Sequence, residues 1–269
     1  MNIWKNTATL DGYDKGLSFT EDKEIAEIAL LGSKPIKLQD FPNLKGIFRA
    51  GIGKDNVPEK DAVNEGILVR YPSQNILNII FDETATYTCR LIFKMLYNDI
   101  GTLETWEKKD RKQFKEKVLL VVGNGNIGKR VARFMRPFLT VNTYDILENN
   151  ENDLFKYIQS ADCITLHIPK TNNEIFFNLE RLNMMKDNAV LINTSRGSIV
   201  DEEALYNVIK LNKIRAAFDV FWEEPYNGKL KEFYPDKFYM SPHIASTCSE
   251  FLDGCREGLN KLIHDIKNV

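Results

Sequence analysis

Histidine and cysteine are scarce in this chain of 269 residues, which holds three of the first and four of the second. The cysteines, Cys89, Cys163, Cys248 and Cys255, form no C-x-x-C pair, and His167, His243 and His264 are too few and too scattered to complete a zinc site. No metal is therefore expected, and idle thiols suit a reducing cytoplasm. No uninterrupted apolar run approaches the ~20 residues that cross a bilayer. The opening residues, Met1 to Asn6, lack the apolar stretch of a secretory signal. Charge of one sign is lacking too. Basic residues number 36 against 38 acidic, for a net charge of −2, and they are scattered. No global field draws in nucleic acid or an anionic membrane. These absences lead us to expect a cytoplasmic protein with neither of those partners. What is present is apolar: 43% of the residues are hydrophobic, enough for a real core.

The most informative stretch runs from Val118 to Gly128. Five apolar residues, Val118-Leu119-Leu120-Val121-Val122, lead into Gly123-Asn124-Gly125-Asn126-Ile127-Gly128. Val131, Ala132, Phe134, Met135 and Phe138 then share one helical face. Strand, G-x-G-x-x-G turn and helix form a dinucleotide-binding signature. The glycines permit a tight turn and a close approach to pyrophosphate, whose charge meets the free N–H groups of the helix N-terminus. A second apolar strand, 139–144, ends at Asp145, at about the ~20-residue distance expected of the acid that accepts from a ribose 2′-hydroxyl. A carboxylate accepts from that hydroxyl and repels a 2′-phosphate. No arginine follows it, since Ile146, Leu147 and Glu148 come next, so NAD is the expected cofactor.

From 117 to about 242 the pattern alternates. Strands are expected at 118–122, 139–144, 162–167, 189–194, 214–219 and 237–240, and helices at 126–137, 151–159, 178–185 and 201–212. Alternation of this kind means a doubly wound parallel sheet of Rossmann type. Ahead of it, residues 1–72 read as a smaller α/β unit. Its strands are expected at 3–4, 28–32, 46–49 and 67–69, and its short helices at 23–27 and 60–64. Residues 75–98 read as a long helix linking domains and offering a dimer surface. Residues 101–116 read as a loop with a short helix, and 247–269 as a closing helix.

Ligands of parallel sheets bind at the carboxyl ends of the strands. Three of those ends carry reactive residues. The strand Val190-Leu191-Ile192-Asn193 delivers Arg196, whose guanidinium can grip a carboxylate by two parallel bonds. The segment Ala217-Phe218-Asp219 opens a run of carboxylates that includes Glu223 and Glu224. Tyr239-Met240-Ser241-Pro242 delivers His243. A carboxylate beside a histidine fixes its tautomer, and that pair with an arginine can serve the reduction of a ketone. The carbon accepts a hydride, the oxygen a proton, and the arginine steadies the neighbouring carboxylate.

At this point the chain resembles the D-isomer-specific 2-hydroxyacid dehydrogenases. The likeness runs from about Leu44 to Ser246. It rests on Arg49-Ala50-Gly51-Ile52-Gly53-Lys54-Asp55-Asn56, on Gly123 to Gly128 with Asp145, on Asp162 to Pro169, on Asn193 to Gly197, on Asp219 to Pro225 and on Pro242-His243-Ile244. The resemblance implies Arg196, Glu224 and His243 as the catalytic set. It implies that Gly51, Ile52 and Gly53 hold the substrate carboxylate. The dinucleotide would meet Gly123, Gly125, Asn126, Ile127, Gly128, Asp145, Pro169, Thr194, Ser195 and Asp219, with His167 a structural member of the same cleft. It implies a flavodoxin-like, discontinuous substrate domain, 1–74 with 247–269. Into this the NAD-binding domain, 75–246, is inserted, and the whole forms a homodimer.

Arg49, Lys54 and Arg70 fall near the family's substrate-binding turns, which points to a second anionic group, as on a phosphoglycerate. Glu224 stands where a formate dehydrogenase would carry glutamine. The chain departs from the family pattern at Asp11 to Gly16, a loop in place of a βαβ unit, and at Glu83, spaced two residues further than usual from Asn75. Asn124 replaces a customary apolar residue. Two other readings use the same groups: an NAD-sensing corepressor-like module, and an oxidoreductase acting on a phosphorus oxyanion.

Overall fold

A computed structural model describes residues 1–98, 100–170 and 175–268. Val269, the last residue of the expected closing helix, lies outside them. In chain order the elements are β1 (Asn2–Lys5), β2 (Ser18–Phe19), β3 (Ile28–Leu31), β4 (Gly46–Arg49), α1 (Glu59–Asn64), β5 (Leu68–Arg70), α2 (Gln74–Leu96), β6 (Gly101–Thr102) and β7 (Glu107–Lys108). They continue with β8 (Val118–Val122), α3 (Asn126–Met135), β9 (Thr140–Tyr144), α4 (Glu151–Ser160), β10 (Cys163–Leu166), α5 (Leu179–Met184), β11 (Ala189–Asn193), α6 (Glu202–Lys210), β12 (Ile214–Phe218), β13 (Phe238–Met240) and α7 (Ser249–Lys267). The chain divides into two compact units, Met1–Ile80 with Ser246–Val269, and Phe81–Ala245.

In the larger unit six strands pair in the order β13-β12-β11-β10-β8-β9, every pair parallel. Both faces are covered, so the inner strands β8, β10 and β11 read as nearly unbroken apolar runs rather than as alternating ones. The period of two still sorts their side chains. Leu120 and Val122 of β8 join Leu166, Leu191 and Phe218 in a core that includes Leu154 of α4, Leu182 of α5 and Leu205 of α6. Leu119 and Val121 point the other way and pack with Ile192, with Leu91 and Met95 of α2 and with Val131 and Met135 of α3. Arg215 of β12 donates to the carbonyl of Met95 at 2.8 Å, which ties the end of α2 to the sheet.

The smaller unit repeats the plan with five parallel strands in the order β2-β1-β3-β4-β5. Ile28, Leu30 and Phe48 form one face with Leu259 and Leu262 of α7, and Ala29, Leu31 and Ile47 form the other with Ala62 of α1. Helix α7 lies so close to β4 that a Cβ on Gly258 would meet the Phe48 ring at 2.7 Å.

Two local expectations give way, and one strand was not expected. No helix forms at 23–27. The N–H of Asp22 bonds the Thr20 hydroxyl at 3.1 Å and that of Glu24 bonds Asp22 Oδ1 at 2.9 Å, so short side chains take the donors a helix needs. The pair Ser18–Phe19 becomes β2, too short and polar to announce itself. Residues 101–108 form an antiparallel hairpin of β6 and β7, and the helical part of that region is a single 3-10 turn, Phe114–Glu116.

Candidate active site

The three glycines after β8 are needed for different reasons. Gly123 has a φ of 98°, and a Cβ there would meet the carbonyl oxygen of His167 at 2.5 Å. A Cβ on Gly128 would lie 1.9 Å from the carbonyl oxygen of Gly123. These two serve backbone packing. A Cβ on Gly125 would meet nothing within 4 Å, so the absence of a side chain keeps space open. Helices α4, α5 and α6 are each capped by a side chain, from Asn150, Asn178 and Asp201. Helix α3 begins at Gly125 with no side-chain cap. The N–H groups of Asn126, Ile127 and Gly128 precede its first internal bonds, which suits a pyrophosphate. Asp145, at the end of β9, accepts from the Asn124 N–H at 2.8 Å through Oδ2 and from the Leu147 N–H at 3.1 Å through Oδ1. The oxygens retain lone pairs for a ribose hydroxyl.

Strand β8 is flanked by β9 and β10, which places the sheet's switch point between β8 and β10. Gly123 and His167 stand side by side there. The His167 N–H bonds the Val122 carbonyl at 2.7 Å, and Nε2 lies 3.0 Å from the Thr165 hydroxyl. Burial pushes the His167 pKa down to about 3, so the ring is neutral at physiological pH and is no proton donor. Pro169 follows, exposed, two residues later.

The catalytic candidates occupy three adjacent parallel strand ends. After β11, fully buried Asn193 organises the turn. Its Oδ1 accepts from the backbone N–H and hydroxyl of Ser195, each at 3.0 Å, and its amide donates to the Arg196 carbonyl at 2.8 Å. The Thr194 hydroxyl lies 2.9 Å from that of Thr88 on α2. Arg196 is half-buried, with Nη1 donating to the Ser195 carbonyl at 2.8 Å. A Cβ on Gly197 would sit 2.1 Å from the carbonyl carbon of Phe221. The Arg196 turn therefore rests backbone to backbone on the segment that carries Glu224. Trp222 of that segment also donates its indole N–H to the Val200 carbonyl at 2.7 Å.

Glu224 accepts from the Phe221 N–H at 3.1 Å and lies 2.9 Å from Nδ1 of His243. An ionised carboxylate only accepts. Nδ1 must then carry the proton, and Nε2 is the nitrogen presented outward. His243 has a φ of 52°, a left-handed backbone uncommon for a residue with a side chain. Asp219 holds it from both sides. Fully buried, it accepts from the Ser241 hydroxyl at 2.6 Å, the Ile244 N–H at 2.9 Å and the Ala245 N–H at 2.8 Å. Burial pushes the Asp219 carboxyl up, and the three donors oppose that rise.

In the smaller unit Gly51, Ile52 and Gly53 follow β4 as a turn. Arg49 is buried beneath it, donating to the Ala50 carbonyl at 2.6 Å and to the Gly53 carbonyl and Asn56 Oδ1 at 3.1 Å. A Cβ on Gly51, whose φ is 147°, would meet the Arg49 guanidinium at 2.5 Å. Lys54 lies over the Tyr71 ring and 3.6 Å from Glu59. Arg70 is 3.5 Å from Asp265. The three cations expected near a second anionic group thus have three separate settings, one buried and two exposed. Asn193, Gly197, Ser241 and Trp222 carry the geometry of the larger unit's strand ends and were not singled out from sequence. Of these, Gly197, directly after Arg196, offered a signal, since a glycine there permits the close backbone approach to Phe221.

A parallel sheet ordered 2-1-3-4-5-6, with a glycine turn and an uncapped helix at its switch point, defines a Rossmann-type nucleotide-binding domain. The comparisons specify it further. Residues 95–245 match the NAD binding domain of the D-isomer specific 2-hydroxyacid dehydrogenases, and the chain belongs to that family. It is 34% identical over 234 residues to a D-3-phosphoglycerate dehydrogenase of Synechocystis sp., a match that covers 79% of this chain and 41% of the relative. It is 32% identical over 224 residues to a hydroxypyruvate reductase of Thermotoga maritima, covering 77% and 72%. The chain thus spans about two fifths of the length of the phosphoglycerate dehydrogenases it matches. Its fold is that of a D-lactate dehydrogenase from Aquifex aeolicus, solved with NAD and lactic acid. The TM-score is 0.80 at 23% identity, covering 100% of this chain and 96% of that one.

Proposed function

We propose that this protein is an NAD-dependent oxidoreductase that moves a hydride between the nicotinamide and carbon 2 of a D-2-hydroxyacid or its 2-oxo acid. The observation that carries the reading is the His243–Glu224 pair at 2.9 Å, one strand end away from Arg196 on the edge of the NAD-binding sheet. Reduced NAD, when bound, supplies the hydride to carbon. Gly125 and the first N–H groups of α3 would hold its pyrophosphate and Asp145 its ribose, while Thr194, Ser195 and Pro169 would line its further reach; Asp219, expected there from the resemblance, is fully buried and instead holds the His243 turn. Arg196 grips the substrate carboxylate and polarises the neighbouring carbonyl. As the imidazolium, with its Nδ1–H held by Glu224, His243 gives its Nε2 proton to the carbonyl oxygen as the hydride arrives and is left neutral. In the oxidative direction it takes that proton back.

To the unit Met1–Ile80 with Ser246–Val269 we assign the substrate domain. The Gly51 N–H is taken by the Arg49 carbonyl at 2.9 Å, so Ile52 and Gly53 are the residues of that turn whose N–H groups would meet a carboxylate. Lys54 and Arg70 are the exposed cations available to a second anionic group, and the phosphoglycerate dehydrogenase relatives make a phosphorylated 2-oxo acid worth testing. A homodimer is supported by the family resemblance and by exposed Leu103 and Trp106 on the β6–β7 hairpin. Four free cysteines support a cytoplasmic setting.

The test is a spectrophotometric screen with NADH and a panel of 2-oxo acids, including hydroxypyruvate and its 3-phosphate, beside an Arg196→Ala control. Turnover that the control lacks is the expected result. NADH binding without turnover on any member of the panel would instead favour a binding module.

A further inference from the structure

Asn124, the departure from the family's apolar preference, holds two carboxylates at once. Its backbone N–H donates to Asp145 at 2.8 Å, and its side-chain amide donates to both oxygens of Glu148, at 2.9 and 3.1 Å. The turn between the two acids is wound tightly on Asp145. The N–H groups of Glu148 and Asn149 both donate to the Asp145 carbonyl, at 3.0 and 2.8 Å, and Asn149 Oδ1 accepts from the Asp145 N–H at 2.9 Å. Glu148 itself is exposed. Untethered, a long acidic side chain on such a turn would swing into water and be screened. The amide of Asn124 keeps it beside Asp145, and no apolar residue could do so.

We infer that Glu148, tethered by Asn124, is a second determinant of the choice of NAD over NADP. The inference rests on the NAD-binding reading and deepens it. A ribose 2′-hydroxyl can donate to a carboxylate. A 2′-phosphate carries a charge of about −1.5 to −2 at neutral pH, so a second fixed carboxylate adds to the repulsion that Asp145 exerts on it. Neutralising Asp145 alone therefore leaves a barrier to NADP in place, and Asn124 accounts for its own presence in the glycine turn.

Equilibrium fluorescence titration of the full chain with NADH and with NADPH tests this without any turnover. The variants are Glu148→Gln, Asn124→Leu, Asp145→Asn and the double Asp145→Asn/Glu148→Gln. The unsubstituted chain should bind NADH much more tightly than NADPH. Glu148→Gln should narrow the ratio of the two dissociation constants about tenfold, Asn124→Leu should narrow it in the same direction, and the double variant should narrow it more than Asp145→Asn does. A ratio unmoved by Glu148→Gln, while Asp145→Asn moves it, overturns the inference and leaves the NAD-binding reading standing. An unsubstituted chain that binds both dinucleotides equally also overturns it. Binding of neither overturns the cofactor reading itself and this inference with it.

Discussion

His243 is aimed by bonds on every side of it. Glu224 takes Nδ1, and Asp219 takes the two backbone N–H groups that follow and the hydroxyl of Ser241 two residues before. His243→Ala should lower kcat/KM by 10²–10⁴-fold, the worth of a positioned proton donor. Glu224→Gln keeps the shape but removes the charge that fixes the tautomer, and should cost roughly 10–100-fold, mainly in kcat, by steady-state kinetics on the preferred 2-oxo acid. His167 makes the contrary case. Its pKa falls from 6.5 to about 3 on folding. The fold favours the neutral ring, so this contribution to stability is complete above pH 6.5 and is lost as the pH falls towards 3. At pH 5 the unfolded chain has bound the proton and the folded one has not, a loss of about 2 kcal/mol relative to pH 7.5. Urea midpoints should show that loss in the unsubstituted chain and a shallower fall in His167→Asn. The types Arg, Glu and His at successive strand ends were legible in the sequence. The anchoring by Asp219 was not, because which donors a buried carboxylate collects depends on loop paths that no spacing rule encodes. Arg49 was legible as a cation and illegible as the floor of its own turn.

At the scale of elements, the close approach of Gly197 to the Phe221 backbone joins the turns that carry Arg196 and Glu224. No side chain there could move aside for a Cβ, since the obstacle at 2.1 Å is main chain. Gly197→Ala should therefore destabilise the protein by about 2–4 kcal/mol, read as a lowered urea midpoint. It should also cut kcat/KM with Arg196 and Glu224 both intact. A substitution that moved neither would mean that the two turns are independent. Strands β8, β10 and β11 were readable because helices cover both faces and their apolar runs are nearly unbroken. Helix α2 was readable because it is long. The failures cluster where an element is two to five residues long. At 18–19 and 23–27 the outcome was decided by a partner strand or by local side-chain bonds, which act against propensity at little cost.

At the scale of the molecule, two parallel sheets share one strand order, with β1 and β8 each lying between the second and third strands of its sheet. Alternation predicted the larger parallel sheet, while the smaller one was expected from the family resemblance. The same geometry separates what the glycine turn does for folding from what it does for binding. Gly128 is needed by the fold, since a Cβ there would strike the Gly123 carbonyl. Gly125 is not, because its φ of −82° suits any residue and a Cβ would enter open space. Gly125→Val should thus leave the thermal midpoint of the free protein within a degree or two, while filling the space a pyrophosphate would need. NADH at a hundred times its dissociation constant should stabilise the unsubstituted chain by about 2.7 kcal/mol. For a unit of this size that raises the midpoint by about 5–10 °C. In Gly125→Val the shift should vanish. A shift that survives would place the dinucleotide elsewhere on the sheet edge, and a variant that melts early without ligand would show Gly125 to be a packing residue like its neighbours.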